Sequence, residues 1–278
     1  MPWHPEIHPL VNCETQESGG SRVKLSHVGF VLQRAVAKRG VMGTLTAAPG
    51  KIMGRLSRGS KPAKQYNPVH PFDAEFGTDT SGLIAAEELV DSRRRKNIHN
   101  TGFYATAPSI FQQAFARLEI DFERFTFVDL GAGKGRIMLL ASNFPFQQVL
   151  GVEFIPELQA IATRNISVYQ PPTRRCQDVQ CILSDVQEFV FPAVPLVIFM
   201  WHPFVGPVFE RVMQNLEESL RRNPREVYIV YLKPEFGHVI ERIPSLQKLW
   251  ESRFTMSEQD FAAYIFPDQS EVCVAYGT

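Results

Sequence analysis

The chain has 278 residues, of which 44% are hydrophobic, and this suffices for one large α/β domain with an extension or for two small domains. Basic and acidic residues number 29 each, so the net charge identifies no class of partner. Four cysteines without a Cys-x-x-Cys pair, no secretory signal pattern and no apolar run of membrane-spanning length lead us to expect a cytoplasmic protein with no zinc site and no transmembrane segment.

Residues 1–66 are predicted to form a basic, partly helical N-terminal extension. No acidic residue occurs between Ser18 and Phe72. Apolar residues recur at helical spacing from Val28 to Val36, and Gly40 ends the predicted helix. Because basic arms attract phosphate groups, residues 22–64 could contact nucleic acid or an anionic membrane surface, or could be a solvated tail. The basic residues concerned are Arg22, Lys24, Arg34, Lys38, Arg39, Lys51, Arg55, Arg58, Lys61 and Lys64.

Residues 67–278 are predicted to form the main domain, which starts with loops and a helix. Residues 72–82 are rich in turn and capping residues, and residues 91–96 are a charge cluster typical of a solvated surface. A helix is predicted over residues 108–118, because Pro108 suits a first helical turn and the apolar side chains that follow share one face.

From residue 125 onward, predicted strands and helices alternate. This order predicts parallel strand pairing with helices on both faces of the sheet. The tail differs, because residues 261–266 and 271–276 read as two strands joined by a turn, which predicts a C-terminal antiparallel hairpin. The other predicted strands are 125–130, 148–153, 179–183, 196–201 and 227–232, and the predicted helices are 135–142, 156–168 and 208–221.

A glycine-rich segment, Asp129-Leu130-Gly131-Ala132-Gly133-Lys134-Gly135, lies between the first of these strands and the next helix. Glycines let the backbone approach a ligand, and the N-terminus of a helix offers N–H groups to a negatively charged group. A phosphate-binding loop needs Ser or Thr after the lysine, and a dinucleotide fingerprint places its third glycine one residue later. S-adenosylmethionine (SAM), which has no pyrophosphate, suits the shorter Gly-x-Gly-x-Gly spacing.

Acidic residues also stand at the ends of the next two predicted strands. Glu153 ends the second strand, where a carboxylate can accept hydrogen bonds from ribose hydroxyls. Asp185 follows the third strand, where a carboxylate could accept a hydrogen bond from an adenine amino group. Each acid alone also fits a solvated turn or a helix cap. Their occurrence in one order with Asp129 and the glycine segment favours a nucleoside ligand.

These motifs resemble those of class I SAM-dependent methyltransferases over residues 104–276. The segment from Val128 to Gly135 resembles the first motif of the family, Gly151-Val152-Glu153 its ribose-binding motif and Ser184-Asp185 its adenine-binding motif, and the closing hairpin resembles its reversed last strand. The resemblance implies a Rossmann-like, doubly wound and mostly parallel seven-stranded α/β sheet. It also implies SAM as the cofactor, bound by Asp129, Gly131, Gly133, Gly135, Glu153 and Asp185.

A narrower resemblance involves Tyr104-Ala105-Thr106-Ala107-Pro108. This segment is similar to one in non-SET protein-lysine methyltransferases, where an aromatic-Pro segment closes over the methionine end of SAM. The similarity implies a cofactor-binding role for Tyr104. An ordinary core tyrosine is the alternative.

The acceptor side of the site is expected at Met200-Trp201-His202-Pro203-Phe204, because ligands gather at the carboxyl ends of parallel strands. Amino-group methyltransferases often carry Asn or Asp, then Pro, then an aromatic residue at this place. Here His202 replaces the Asn or Asp, and it could act as a general base near neutral pH. We therefore expect His202 and Phe204 beside the acceptor, with a histidine fixed at a strand end as the alternative.

The predicted function is methyl transfer from SAM to an unidentified nitrogen or oxygen nucleophile of a protein side chain or small molecule. One alternative is a nucleic-acid methyltransferase that uses the basic extension, and another is a non-catalytic SAM-binding protein. Asp79 could reach over the site or cap a turn. His70, His99 and His238 lack metal-ligand spacing, so we assign no metal site.

Overall fold

The computed structural model describes residues 69–86, 88–89, 101–263 and 268–278. The predicted extension, the charge cluster at 91–96 and His99 lie outside these ranges. The elements before the main sheet are α1 (Pro71–Phe76), β1 (Leu83–Ile84), β2 (Phe103–Tyr104), α2 (Pro108–Phe115) and a 3-10 turn (Phe122–Arg124).

Strands and helices then alternate as the sequence predicts. The elements are β3 (Thr126–Leu130), α3 (Arg136–Ala141), β4 (Gln148–Glu153), α4 (Pro156–Val168), β5 (Val179–Leu183), β6 (Leu196–Trp201), α5 (Pro207–Arg222), β7 (Val227–Leu232), α6 (Gly237–Ile240), β8 (Gln247–Thr255), α7 (Glu258–Ala262) and β9 (Ser270–Gly277).

Seven of the strands form one sheet in the order β5-β4-β3-β6-β7-β9-β8. The first five pair in parallel, and β9 runs antiparallel to both β7 and β8. The strand order reverses at β3, where the chain crosses from β5 to β6. The predicted α/β class and the mostly parallel seven-stranded sheet are therefore confirmed.

The sheet is covered on both faces by helices, and β3 shows how the sequence achieves this. All five residues of β3 are buried, as expected for a strand inside a parallel sheet. Successive side chains point to opposite faces. Phe127 packs in a cluster with Phe111 of α2 and Met138 of α3, whereas Val128 packs in a second cluster with Phe209 of α5.

The C-terminal antiparallel pair is present, but its first strand was placed wrongly. Phe261 lies in α7, and residues 264–266 are outside the described ranges. The helix forms because Ser257 caps it, with its hydroxyl accepting a hydrogen bond from Asp260 N at 3.1 Å. The partner of β9 is instead β8, which the sequence did not reveal because most of its residues are exposed and several are charged.

The parallel strands end together, and this positions the candidate site. Asp129 is in register with Gly151 on β4 and with Phe199 on β6, and Trp201 is in register with Leu232 on β7. The carboxyl ends of four neighbouring strands thus form one edge. In the part of the chain that the structure describes, no helix has the length and apolar character needed to cross a bilayer.

Candidate cofactor and acceptor site

The glycine turn, residues 131–135, connects β3 to α3 at this edge. Gly131, Gly133 and Gly135 have φ values of 83°, 56° and 87°, which favour glycine. At two of these glycines, neighbouring atoms also leave no room for a side chain. A Cβ on Gly131 would lie 2.5 Å from Pro203 Cβ, and one on Gly133 would lie 2.6 Å from the ring of Phe103. The turn is therefore packed against two other segments.

The backbone amides of the glycine turn are largely bound within the protein. Gly131 N and Ala132 N donate to Val152 O at 2.9 and 3.1 Å, and Gly135 N donates to Ala132 O at 2.8 Å. Gly133 N donates to Glu153 Oε2 at 2.8 Å. These four N–H groups are therefore engaged within the protein. The predicted role of the turn and of the helix N-terminus in ligand binding stays a prediction.

Glu153 ends β4 and organises the backbone on both sides of the site. Besides accepting from Gly133 N, its carboxylate accepts from Phe154 N at 2.9 Å and from Ile155 N at 2.8 Å, both through Oε1. Burial raises the pKa of Glu153, although these three backbone hydrogen bonds act in the opposite direction. Oε2 receives one of these bonds and retains a lone pair for a further donor.

Asp129 is the most unusual residue at this edge. Its side chain is buried, with the residue 4% exposed, and no residue that the structure describes donates a hydrogen bond to its carboxyl group. Burial and the negative charge of Glu153 raise the pKa of Asp129 to about 8. Buried polar groups normally have partners, so this carboxyl group points to a donor from outside the described residues.

Lys134 in the glycine turn and Arg136 directly after it are both paired with residues other than Asp129 and Glu153. Lys134 Nζ donates to Asp79 Oδ1 at 2.7 Å and to Ser81 O at 2.8 Å. Arg136 Nε donates to Thr80 Oγ1 at 2.7 Å, and its Nη2 lies 3.4 Å from Asp73 Oδ2. Neither positive charge compensates Asp129 or Glu153, so the edge beside the turn holds two buried acids that no cation among the described residues neutralises.

Asp185 and Tyr104 lie at the margins of the site. Asp185 is half-buried after β5, and its Oδ1 accepts a hydrogen bond from Gln187 N at 2.9 Å, so it caps the turn that follows. Tyr104 is half-buried in β2, with its ring edge-on to Trp201 at 6.2 Å between centroids. Both carboxylate oxygens of Asp185 also accept from Gln187 Nε2, each at 3.3 Å. The roles assigned to these two residues stay predictions.

His202 follows β6 and is held on several sides. Its Nδ1 lies 3.1 Å from Tyr231 Oη, and its Nε2 lies 3.6 Å from Glu235 Oε2. The ring is parallel to that of Phe236, with 5.8 Å between centroids and 6° between planes. The backbone is constrained as well, because the carbonyl oxygen accepts from Thr101 Oγ1 at 2.7 Å. The imidazole is therefore fixed beside one acid and one phenol.

Backbone strain marks this part of the sheet edge. Among the described residues, the non-glycine residues with positive φ are His202 at 42° and Lys233 at 54°. They follow the adjacent strands β6 and β7, whose last residues, Trp201 and Leu232, are in register. Left-handed backbone at bulky residues is costly and tends to occur at functional sites. The turns after β6 and β7 are candidates on this ground.

Phe204 does not line an open site. It is 4% exposed and packs in the cluster on the α5 face, with its ring centroid 5.8 Å from that of Phe209. Packing accounts for this side chain. The geometry therefore favours a core role over the acceptor contact that the sequence predicted.

No protein-family model and no curated protein matches the sequence. Solved structures that resemble the chain include a precorrin-6y C5,15-methyltransferase from Geobacter metallireducens GS-15, with 14% identity, 61% of this chain and 87% of that chain covered and a TM-score of 0.45. A putative RNA methyltransferase PH1948 from Pyrococcus horikoshii has 17% identity, coverages of 61% and 81% and a TM-score of 0.43. A glycopeptide N-methyltransferase MtfA complexed with SAM has 10% identity, coverages of 63% and 95% and a TM-score of 0.44.

The chain has a Rossmann-like fold, with a doubly wound, mostly parallel seven-stranded sheet and an antiparallel C-terminal pair. Likenesses of 10–17% identity with TM-scores below 0.5 say nothing about the ligand or acceptor of this protein. Its own side chains have to supply that information.

Several residues around the site were missed from the sequence. Tyr231 and Glu235 reach His202 from β7 and from the turn after it, and nothing in their local sequence marks them. Asp73 was read only as part of a loop rich in capping residues. The polar run from Thr78 to Ser81 could have indicated that Asp73 is buried among hydroxyl groups. A buried acid of this kind often binds a buried cation. Among the described residues, no group of three or more His, Cys, Asp or Glu side chains could hold a metal ion.

Proposed function

We propose that this protein binds SAM along the carboxyl ends of β3, β4 and β5 and transfers its methyl group to a nitrogen or oxygen nucleophile of a protein side chain or small molecule. The observation that carries the proposal is the buried carboxyl group of Asp129 beside Glu153, to which no described residue donates a hydrogen bond. Two buried acids with no cation beside them in the described ranges favour a ligand that brings positive charge and hydrogen-bond donors.

The residues present fit SAM better than a phosphate-containing ligand. SAM carries an ammonium group, a sulfonium and two ribose hydroxyls, all of which are favourable near carboxylates. A pyrophosphate would be repelled by the ionised form of either acid, and Lys134, which could offset that charge, is already paired with Asp79. These charges therefore argue against the nucleotide-binding alternatives that a glycine-rich turn allows.

Each cofactor-binding residue has a role in this proposal. Glu153 would accept from the ribose hydroxyls through the free lone pair of Oε2, and Asp185 would accept from the adenine amino group. Asp129 would accept from donors at the methionine end, which Tyr104 would cover. Gly131, Gly133 and Gly135 would leave room beside the turn, since a side chain at any of them is strained.

The acceptor side is assigned to His202. SAM, when bound, supplies an activated methyl group. An imidazole with its proton on Nδ1 donates to Tyr231 Oη, and its Nε2 lone pair would take a proton from the acceptor. The carboxylate of Glu235, 3.6 Å from Nε2, would then stabilise the imidazolium. We propose no acceptor contact for Phe204.

Two experiments test this function. Calorimetric titration of the full chain with SAM, with NAD and ATP as comparison ligands, is expected to give binding to SAM alone. Absence of SAM binding, or preference for either nucleotide, would overturn the proposal.

Incubation with methyl-labelled SAM and cell extract then locates the acceptor. Label is expected in protein or small-molecule fractions. Label in nucleic acid that is lost when residues 1–64 are deleted would favour the nucleic-acid alternative. SAM binding with no label in any fraction would favour a non-catalytic SAM-binding protein.

A further inference from the structure

A short segment before the sheet holds the glycine turn from outside. We call residues 70–81 the N-terminal clasp. Two of its three acids, Asp73 and Asp79, face Lys134 in the glycine turn and Arg136 directly after it. The cations alternate with glycines along the turn, so the clasp grips the turn at two points on either side of Gly135.

The first point of attachment is the pair formed by Asp79 and Lys134. Lys134 Nζ lies 2.7 Å from Asp79 Oδ1, and the Lys134 side chain is 12% exposed. The same ammonium group lies 5.6 Å from the ring centroid of Phe103, which covers Gly133. The pair therefore fixes both the turn and the aromatic ring that packs on it.

Asn165 of α4 reinforces this attachment. Its amide oxygen accepts from Asp79 N at 2.9 Å, and its Nδ2 donates to Asp79 O and Lys134 O, each at 2.9 Å. One buried side chain thus bonds to both the clasp and the glycine turn. It makes three directional bonds, which fix the relative position of the two segments.

The second point of attachment is the buried pair of Asp73 and Arg136. Asp73 Oδ1 accepts from Thr78 Oγ1 at 2.7 Å, from Thr80 N at 2.9 Å and from Thr80 Oγ1 at 2.6 Å. Ser81 Oγ donates to Asp73 Oδ2 and lies 3.1 Å from Arg136 Nη2. Burial alone would raise the pKa of Asp73, but these hydroxyl groups and the Arg136 charge lower it.

We propose that Asp79 and Asp73 are positioning residues for SAM, acting through Lys134 and Arg136 to hold the glycine turn in its binding geometry. This inference rests on the proposed function. A turn with three glycines has a wide choice of backbone conformations, so external contacts have to select one. Displacement of the turn would also move Gly133 N away from Glu153, the acid assigned to the ribose.

The most informative variant is Asp79→Asn. The Asp79 side chain is 43% exposed, so the variant is expected to fold with little loss of stability, while the Lys134 ammonium loses its counterion. Calorimetric affinity for SAM is expected to fall about fivefold to tenfold. Lys134→Met is expected to cause a similar loss. The double variant is expected to lose less than the sum of the two single losses, because both changes remove the Asp79–Lys134 pair.

The matched control is Asp260→Asn. Asp260 is buried and accepts from His70 Nε2 at 3.1 Å and from Ser109 N at 2.7 Å, so it joins the clasp to α7 and α2 without touching the glycine turn. We expect this variant to lower the free energy of unfolding and to leave SAM affinity within about twofold of the wild type at a temperature where it is folded. Asp73→Asn, compared with it at equal stability, is expected to lose SAM affinity.

The outcomes separate this inference from the proposed function. Wild-type protein that fails to bind SAM refutes the proposed function. Wild-type protein that binds SAM while Asp79→Asn binds it equally well refutes the positioning role alone. The positioning role is also refuted if Asp260→Asn loses as much affinity as Asp79→Asn, or if the losses of Asp79→Asn and Lys134→Met add in the double variant.

Discussion

Pro203 lies directly against Gly131, so that a Cβ on Gly131 would come within 2.5 Å of Pro203 Cβ. The contact joins the turn after β3, where the cofactor is proposed to bind, to the turn after β6, which carries His202. The distance between the two turns is therefore set by the Pro203 ring, which packs directly on the backbone of Gly131. A methyl group between them would have to push them apart.

The substitution Gly131→Ala tests this contact. The φ of 83° makes any side chain unfavourable, and the clash with Pro203 adds to that cost. We expect the free energy of unfolding to fall by about 2–4 kcal/mol in urea denaturation. Gly77→Ala is the matched control, because φ is 67° but the nearest atom to its Cβ would be 3.7 Å away. That control is expected to lose about 1 kcal/mol. Equal losses would mean that the Pro203 contact has no energetic role.

Replacement of the unpartnered acid, Asp129→Asn, is expected to stabilise the protein and to abolish SAM binding. The pKa of Asp129 is about 8 in the folded protein, against an ordinary value of 3.8 for an aspartate side chain. Between these two values the folded protein holds a proton that the unfolded chain has lost, so this residue makes the free energy of unfolding fall as pH rises, with no further fall above pH 8. We expect the variant to gain about 1–3 kcal/mol at pH 8 and to show a shallower decline between pH 5 and pH 8.

Asp73→Asn is the same chemical change, but it is expected to change the free energy of unfolding in the opposite direction. Because the pKa of Asp73 is lowered, its ionised form contributes stability at pH values above 3.8, and this stability is lost as pH falls through the lower folded value. Asp73→Asn should therefore destabilise the protein at neutral pH. Destabilisation by Asp129→Asn at pH 8 would show that its carboxyl group has a partner.

The ribose assignment predicts a loss of SAM affinity for Glu153→Gln of about tenfold or more, since a charged acceptor contributes about 1.5–3 kcal/mol. The amide keeps the shape of the side chain, but its single oxygen can accept either from Gly133 N or from the N–H groups of Phe154 and Ile155, so some loss of stability is expected as well. Calorimetry measures the affinity, and thermal unfolding checks the fold. Unchanged affinity in a folded variant would remove Glu153 from the cofactor site.

The role of His202 is tested by comparing His202→Asn with His202→Ala. Loss of a general base is expected to lower the rate of label transfer about 100-fold or more in both variants, while SAM affinity stays near that of the wild type. Asparagine would restore the residue common in amino-group methyltransferases. A fully active His202→Asn would therefore show that position 202 orients the acceptor by hydrogen bonding. Full activity of His202→Ala would make the histidine structural.

The alternating core of the fold could be predicted from the sequence because each of its strands is a short apolar run bounded by turn residues. The strand β4 and the helix α4 have the predicted bounds. The strand β8 was missed because edge residues such as Lys248 and Arg253 face solvent and give no apolar pattern. Phe261 was misread for the related reason that one aromatic residue in a short capped helix resembles strand sequence.

The candidate site could be predicted only where one short segment carries its own signal. The glycine turn and Glu153 are such cases. By contrast, Asp73 and Arg136 are 63 positions apart, and no local pattern states that they form a buried pair. The contact of Glu235 with His202 likewise depends on β6 and β7 being neighbours in the sheet, which is a property of the tertiary fold.

The pairing of the clasp with the glycine turn has a consequence for engineering by segment exchange. A chimera that receives residues 70–81 from another protein, as a means of reshaping the acceptor pocket, would place foreign side chains opposite Lys134 and Arg136. Those two cations would be left buried without counterions unless the graft also carried the donor's own glycine turn. Residues 70–81 and the glycine turn are distant in the sequence, but they would have to be exchanged together.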